Sequence, residues 1–379
     1  MTNSKDRIAI ALNGGKSDRI PLVDIFNMNY LMKEIGGNYK GFNIDLLEKV
    51  IEFQEEIGHD PVLYLHSFQE PEMVKLPESF MKWKNEDTKD WNIEEKVVID
   101  QSGHQVIERE YKTPVGSMKS VLRREKQQAW VLEHPLKNRD DIRLLKYRPD
   151  PEKIETTILK ELIEKSKERA FFTIGIPSVW QEGCAMRGLS NMIYDVYDNP
   201  DWVKEYFEIL MENSIKTAKM LGKLGIDSIF VNESYAGLGI SKDMYREFIL
   251  LYDKKIIEAA NSAGMITSLH ICGKCNALLE DMADSGVTCI EPLAPFDYAG
   301  DADLADAKMR IGKKVGIWGG FRERVLNEDK ETVKKEALRC IKAAGEGGGY
   351  VLRGTGQIYD AKIENLKYLR ELVEEYGRY

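Results

Sequence analysis

The sequence predicts an α/β fold: a (β/α)8 TIM barrel with an N-terminal extension and an inserted antiparallel β-hairpin. Three observations predict it. Eight short, β-rich apolar runs recur along the 379 residues. Most are followed by a stretch of helical periodicity. The runs are continuously apolar instead of alternating, which marks parallel strands covered on both faces. Strand–helix units with short connections imply parallel βαβ architecture, and the length exceeds a plain barrel of about 250 residues by enough to carry insertions.

The runs are IPLVDIF (20–26), PVLYLHS (61–67), AFFTIGIP (170–177), DSIFVNE (227–233), MITSLHIC (265–272), TCIEPLA (288–294), KVGIWGG (314–320) and YVLRGT (350–355). An open doubly wound sheet is the alternative, but no G-x-G-x-x-G follows the first run, so its usual nucleotide-binding form is not indicated. In the helical stretch DNPDWVKEYFEILMENSIKTAKMLGKLG, Trp202, Tyr206, Phe207 and Leu210 fall at helical spacing and Gly225 ends the pattern. NEDKETVKKEALRCIKAAGEGG opens on Asn327 or Asp329 as a cap and stops at glycines. Residues 96–125 break the rhythm: they alternate apolar and polar around Ser102–Gly103 and predict a hairpin inserted after the second strand. No linker or repeat divides the chain, so 1–379 reads as one barrel domain.

Hydrophobic residues are 43% and charged residues 31%, a globular balance able to bury a large core. A net charge of -9 argues against nucleic-acid partners, which need a basic stripe. The N-terminus has no apolar signal region and no run is long enough to span a bilayer. Five cysteines, an odd and sparse set, suit a reducing cytoplasm where thiols serve as core residues or ligands.

Barrel chemistry belongs at the C-terminal ends of strands. Those ends carry Asp24, Asn27, His66, Ser178, Gln181, Glu233, His270 with Cys272, Glu291, Trp318, and Arg353 with Thr355. Polar groups that end apolar strands are costly unless they face a cleft or find partners. His270-Ile271-Cys272 is the sharpest signal: residues two apart on a strand share a face, so an imidazole and a thiol converge as a zinc-type pair. A core histidine beside a small buried cysteine is the other reading, of equal weight on spacing alone. Cys275 lies one turn on. Glu233 ends the preceding strand and suits a third ligand or a carboxylate that orients His270; an N-cap or an ion pair near Lys242 is its plain reading. Glu291 is similarly placed, but Pro292 follows and a simple turn is favoured there. His66 suits proton donation or substrate binding, against the commoner role of a satisfied core histidine. Arg353 suits an anion clamp or a structural salt bridge. Trp318, Tyr235, Phe296 and Tyr298 suit an apolar pocket, or ordinary core.

On these residues the chain resembles the uroporphyrinogen decarboxylase superfamily, best from about Phe171 to Leu366. The likeness is carried by TIGIPSVWQEGCAMRGLSNMIYDVYDNPDWV, by GIDSIFVNESYAGLGISKDMYREFILLYDKKIIEAANSAGMITSLHICGK, and by GIWGGFRERVLNEDKETVKKEALRCIKAAGEGGGYVL. The resemblance implies a (β/α)8 barrel. The decarboxylase branch has an arginine-rich R-Q-A-G-R signature near its start; DRIPLVDIFNMNYLMKEIGG lacks it, so porphyrinogen decarboxylation is the least favoured activity. The other branch comprises zinc-dependent methyltransferases that work with corrinoid proteins. Its H-x-C motif is matched by His270 and Cys272. Its third ligand is a cysteine in a P-G-C-G-like context, where this chain has Arg353-Gly354-Thr355-Gly356. The metal set implied here is therefore Glu233, His270 and Cys272, with Cys275 less favoured, and Glu233 and His270 are the expected catalytic groups.

The resemblance further implies Zn2+ as cofactor and a corrinoid (cobalamin) protein as partner. Exchanging a soft thiolate for a carboxylate suits the metal to oxygen. The expected reaction moves a methyl group from an O-methyl donor, preferably a methoxylated aromatic, to corrinoid cobalt. Asn27, His66, Tyr235, Trp318 and Arg353 are the expected substrate contacts, with Arg353 holding a ring carboxylate. Methyl transfer from a methylcobamide to a thiol such as coenzyme M is the alternative. The expected protein is cytoplasmic, free of membrane and nucleic acid, with a homodimer as the assembly considered.

Overall fold

A computed structural model describes residues 2–36, 44–65, 88–101, 103–125 and 129–379. Its strands, in chain order, are β1 (Val62–Leu65), β2 (Asn92–Gln101), β3 (His104–Thr113), β4 (Gly116–Glu125), β5 (Ala129–Glu133), β6 (Phe171–Pro177), β7 (Ser228–Asn232), β8 (Ile266–His270), β9 (Cys289–Glu291), β10 (Gly316–Trp318) and β11 (Tyr350–Val351). They form two sheets. One is seven-stranded, in the order β1-β6-β7-β8-β9-β10-β11, and every pair in it is parallel. The other is four-stranded and antiparallel, β2-β3-β4-β5.

Seven of the eight predicted parallel strands are thus strands of one curled sheet. The first run takes the remaining place by isolated bridges: Leu22 pairs in parallel with Leu352, and Phe26 with Ile358. On its other side Asp60 N donates to Leu22 O at 2.7 Å, just ahead of β1. Pro21, with no N–H to give, explains part of why a continuous ladder does not form there.

The wall separates two apolar regions. Between strands and helices lie Ile174, Ile229, Val231, Leu269, Ile290 and Ile317 with Phe207, Leu210 and Ile256. Inside the barrel lie Val23, Val62, Phe171, Cys289, Trp318 and Val351. The N-terminal extension closes the floor of that interior. Its helix Ser4–Leu12, capped by the Asn3 side chain, adds Ile8, Ala11 and Leu12 to the interior cluster. Gly316 lets it approach, since a Cβ there would sit 2.4 Å from the Leu12 carbonyl oxygen. Arg7 and Arg19 both pair with the fully buried Asp60, at 2.6 and 2.8 Å, which pins the extension to the chain entering β1.

The insertion is larger than predicted. Residues 96–125 contain parts of three strands, and the sheet runs from Asn92 to Glu133. The first reversal falls between Gln101 and His104, where Gly103 has a positive φ of 101° and Ser102 lies outside the described residues. A second reversal falls between Thr113 and Gly116, at Pro114–Val115, residues whose turn character the predicted hairpin read through. Among the described residues, no helix is long and apolar enough to cross a membrane.

Candidate active site

Strand periodicity decides which polar groups meet, because successive side chains point to opposite faces of the wall. Counting from His270, the inward set is Ser268 and His270 on β8, Phe230 and Asn232 on β7, and Glu291 on β9. Register puts Asn232 and Glu291 directly beside His270 on either side. Tyr64 of β1 reaches the same point from across the barrel.

These residues form one network. Ser268 Oγ donates to Glu291 Oε1 at 2.6 Å, and the buried Arg353 guanidinium pairs with Glu291 Oε2. The Tyr64 hydroxyl lies 3.2 Å from His270 Nδ1 and 3.3 Å from each Glu291 oxygen. His270 Nδ1 lies 3.5 Å from Glu291 Oε2. Arg353 also sits over the rings of Tyr64, at 4.9 Å, and Trp318, at 5.2 Å. Burial would raise the Glu291 carboxyl, but the Arg353 charge and the partners His270 and Ser268 outweigh it and hold the group at about 2.

The other imidazole nitrogen faces Cys272: His270 Nε2 and Cys272 Sγ are 3.0 Å apart. Cys272 lies just past the strand end, exposed at a cleft. Desolvation opposes its ionisation, but the His270 charge and hydrogen bonds from His270 and Ser234 prevail and bring the thiol to about 7. Desolvation likewise opposes protonation of His270; the Cys272 thiolate and Glu291 prevail and raise it to about 10. The loop after Cys272 is fixed by close backbone approach. A Cβ on Gly237 would lie 1.8 Å from the Cys272 carbonyl oxygen.

This pair supplies two of the donor types that zinc takes. An imidazole nitrogen and a thiolate stand side by side at an open cleft. The far imidazole nitrogen is held by a carboxylate and a tyrosine hydroxyl, the outer support that metal-bound histidines have. Two protein donors are in place. Among the described residues, no group of three His, Cys, Asp or Glu side chains is placed to hold a metal ion.

The other expected residues divide. Glu233 donates its backbone N–H to the His270 carbonyl at 2.8 Å, but its side chain is on the opposite face of the wall. It is fully buried, neither carboxylate oxygen has a hydrogen-bond partner, and the same holds for Asp253. Burial and then the Asp253 charge push the Glu233 carboxyl well up. The structure does not bring Glu233 to His270 and Cys272; parity carries it outward. Cys275 is buried, and burial holds its thiol at about 12, which disfavours a thiolate ligand. Thr355 Oγ1 donates to Glu323 Oε2 at 3.1 Å, and Gly356 N donates to the same oxygen at 3.3 Å. Cys272, Glu323, Arg324, Thr355, Tyr298 and Tyr359 are among the residues around a cleft of about 410 Å³.

Among the expected substrate contacts, Asn27 caps the helix Met28–Glu34 and reaches Gln357, a cleft residue, at 3.5 Å. Tyr235 is half-buried, its backbone N–H held by Gln181 Oε1. Trp318 and Arg353 are not on the cleft. Trp318 is packed inside the barrel against Phe171 and Tyr64, and Arg353 has its fork turned inward on Glu291, so a carboxylate of this chain takes the place foreseen for a substrate's. His66 lies outside the described residues. Sequence reasoning missed Tyr64 and Ser268 and undervalued Glu291. The alternation that joined His270 to Cys272, extended across β8 and β9, would have found Ser268 and Glu291.

A (β/α)8 barrel with an imidazole–thiol pair at the C-terminal end of one strand defines the class of fold: a barrel with its polar groups gathered at the strand ends. The chain belongs to the uroporphyrinogen decarboxylase (URO-D) family, whose pattern matches residues 114–376. Among curated proteins it is 31% identical to a uroporphyrinogen decarboxylase of Pelodictyon phaeoclathratiforme, over 43% of this chain and 46% of that protein. It is 33% identical to the methylcobamide:CoM methyltransferase MtaA of Methanosarcina barkeri, over 46% of this chain and 50% of that protein. The chain therefore spans about half the length of the curated relatives it matches. A solved methyltransferase from Methanosarcina mazei shares the fold across 99% of both chains, with a TM-score of 0.69 and 20% identity.

Proposed function

We propose that the protein is a zinc-dependent methyltransferase that moves a methyl group from an O-methyl donor, with a methoxylated aromatic preferred, to the cobalt of a corrinoid protein. One observation carries this reading: His270 Nε2 and Cys272 Sγ stand together at the cleft while Glu291 and Tyr64 hold Nδ1 from behind. Likeness to MtaA supports the reaction class.

In the transfer, the O–CH3 bond breaks, cobalt(I) supplies both electrons of the new Co–CH3 bond, and the departing oxygen takes a proton from solvent. Bound zinc would polarise that oxygen as a Lewis acid. His270 and Cys272 would hold the metal at the mouth. Glu291, fixed by Arg353, would keep the His270 ring oriented. The position of the family's third thiolate belongs to Thr355, hydrogen-bonded to Glu323, so oxygen groups line that side of the cleft and favour an oxygen donor over a thiol.

Purified protein should hold about one zinc per chain, lost on His270→Ala or Cys272→Ser. Full zinc in both variants would sink the assignment. A panel of O-methyl donors, offered with reduced corrinoid protein, should shift the cobalt(I) absorption. Methyl transfer from methylcobamide to a thiol is the second reading, favoured by the MtaA likeness; turnover with a thiol and none with any O-methyl donor would select it.

A further inference from the structure

The cleft beside Cys272 holds a carboxylate that the proposed chemistry does not use. Past the strand ends, the β10–β11 pairing continues by one bridge, Phe321 to Gly354, and the Thr355 N–H donates to the Phe321 carbonyl at 2.9 Å. That pairing delivers Glu323 and Thr355 to the cleft side by side. Thr355 Oγ1 and the Gly356 N–H both donate to Glu323 Oε2, at 3.1 and 3.3 Å, and fix the carboxylate. Its other oxygen, Oε1, has no hydrogen-bond partner among the described residues. A Cβ at Gly356 would come within 3.2 Å of Oε1, so the glycine leaves that oxygen uncovered. Glu323 is only 9% exposed, and it has no ion-pair partner among the described residues. A largely buried carboxylate oxygen without a partner favours a ligand that brings it a hydrogen-bond donor.

The other charges of the cleft narrow the ligand. A cation would be drawn to Glu323, but the Arg324 guanidinium already lies over the Tyr298 ring at 5.0 Å. It supplies a positive charge of the chain's own and takes a ring face that a cationic ligand would use. Asp360 adds a second acid to the lining, which disfavours an acidic ligand. A neutral donor, a hydroxyl, suits all three. Resting on the O-methyl reading above, we propose that Glu323 selects the methyl donor. Its Oε1 accepts a hydrogen bond from a free phenolic hydroxyl on the ring that carries the methoxy group. Thr355 is a positioning residue for this contact: it holds Glu323 without touching the ligand.

The test is binding, measured by isothermal titration calorimetry on the purified protein without corrinoid protein. The probes are the methoxyphenols, the matching dimethoxybenzenes and a methoxybenzylamine. Wild type should bind at least one methoxyphenol about tenfold or more tighter than its dimethoxybenzene, because a buried acceptor left unmet is costly. Glu323→Gln should reduce that preference to about threefold or less without weakening dimethoxybenzene binding. Thr355→Val removes one of the two donors on Oε2 and should reduce the preference part-way. Circular dichroism checks that both variants fold, and a ratio of two affinities is not moved by a merely structural loss. Equal affinity for phenols and dimethoxybenzenes, a preference unchanged in both variants, or tighter binding of the amine would overturn the proposal and leave the proposed reaction standing. No binding of any methoxylated ring would overturn the preferred donor class as well. Methyl transfer to a corrinoid protein is read separately, so the two failures are told apart.

Discussion

Two buried glutamates flank β8 on opposite faces of the barrel wall, one held ionised and the other pushed toward its neutral form. Glu291, inside, is ringed by Arg353, His270, Ser268 and Tyr64 and is held ionised. Glu233, outside, has no hydrogen-bond partner for its carboxylate and a second unpartnered carboxylate, Asp253, as neighbour, so burial favours its neutral form. The residue type is the same and both are essentially excluded from solvent. What differs is which way the strand points each side chain, and whether a guanidinium waits there.

The largest way to break this contrast is Glu291→Ala. It strands the Arg353 guanidinium in the interior and should cost about 3–5 kcal/mol, read as a shift in the denaturant midpoint. It should also loosen His270 and weaken zinc binding by 10–100-fold, read by competition with a chelator. Stability measured against pH sharpens the same point. The folded Glu291 carboxyl lies below its unfolded value of about 4.3, so its contribution is complete above that pH and is lost as pH falls toward about 2. Glu233 runs the other way: its folded value is raised, so its contribution is complete at low pH and is lost as pH climbs past the unfolded value. Glu233→Gln should therefore be neutral near pH 4 and stabilising by about 1–2 kcal/mol near pH 8. A loss of stability at both pH values would show that Glu233 is ionised and paired. The smallest effect is expected of Tyr64→Phe, which removes one hydroxyl from the network. It should cost about 1 kcal/mol and lower zinc affinity less than Glu291→Ala does.

Much of the barrel was legible because a buried parallel strand announces itself as a short apolar run. All seven strands of the large sheet sit within predicted runs, and the eighth run takes the closing position. The insertion was half legible: Gly103 flagged one reversal, but Pro114 and Gly116 sit among alternating residues that also suit a continuing strand. In the site, His270 and Cys272 were visible because their spacing is local. Tyr64 was not, since it meets His270 from a strand 206 residues away. Glu233 was preferred over Glu291 because both end strands next to His270. Only the face each presents separates them, and Pro292 after Glu291 drew attention to a turn instead.

The bond from Glu233 N–H to the His270 carbonyl has a wider consequence. It couples the two compartments mechanically, through backbone alone, while the wall shields each from the other's charge. Such a partition acts as insulation: the outer layer can exchange its acids, or lose them, without retuning the chemistry at the mouth. Variation among relatives should then be free at Glu233 and Asp253 and linked at Glu291 and Arg353, so a survey of paired substitutions would read the barrel wall as a boundary between independently evolving halves.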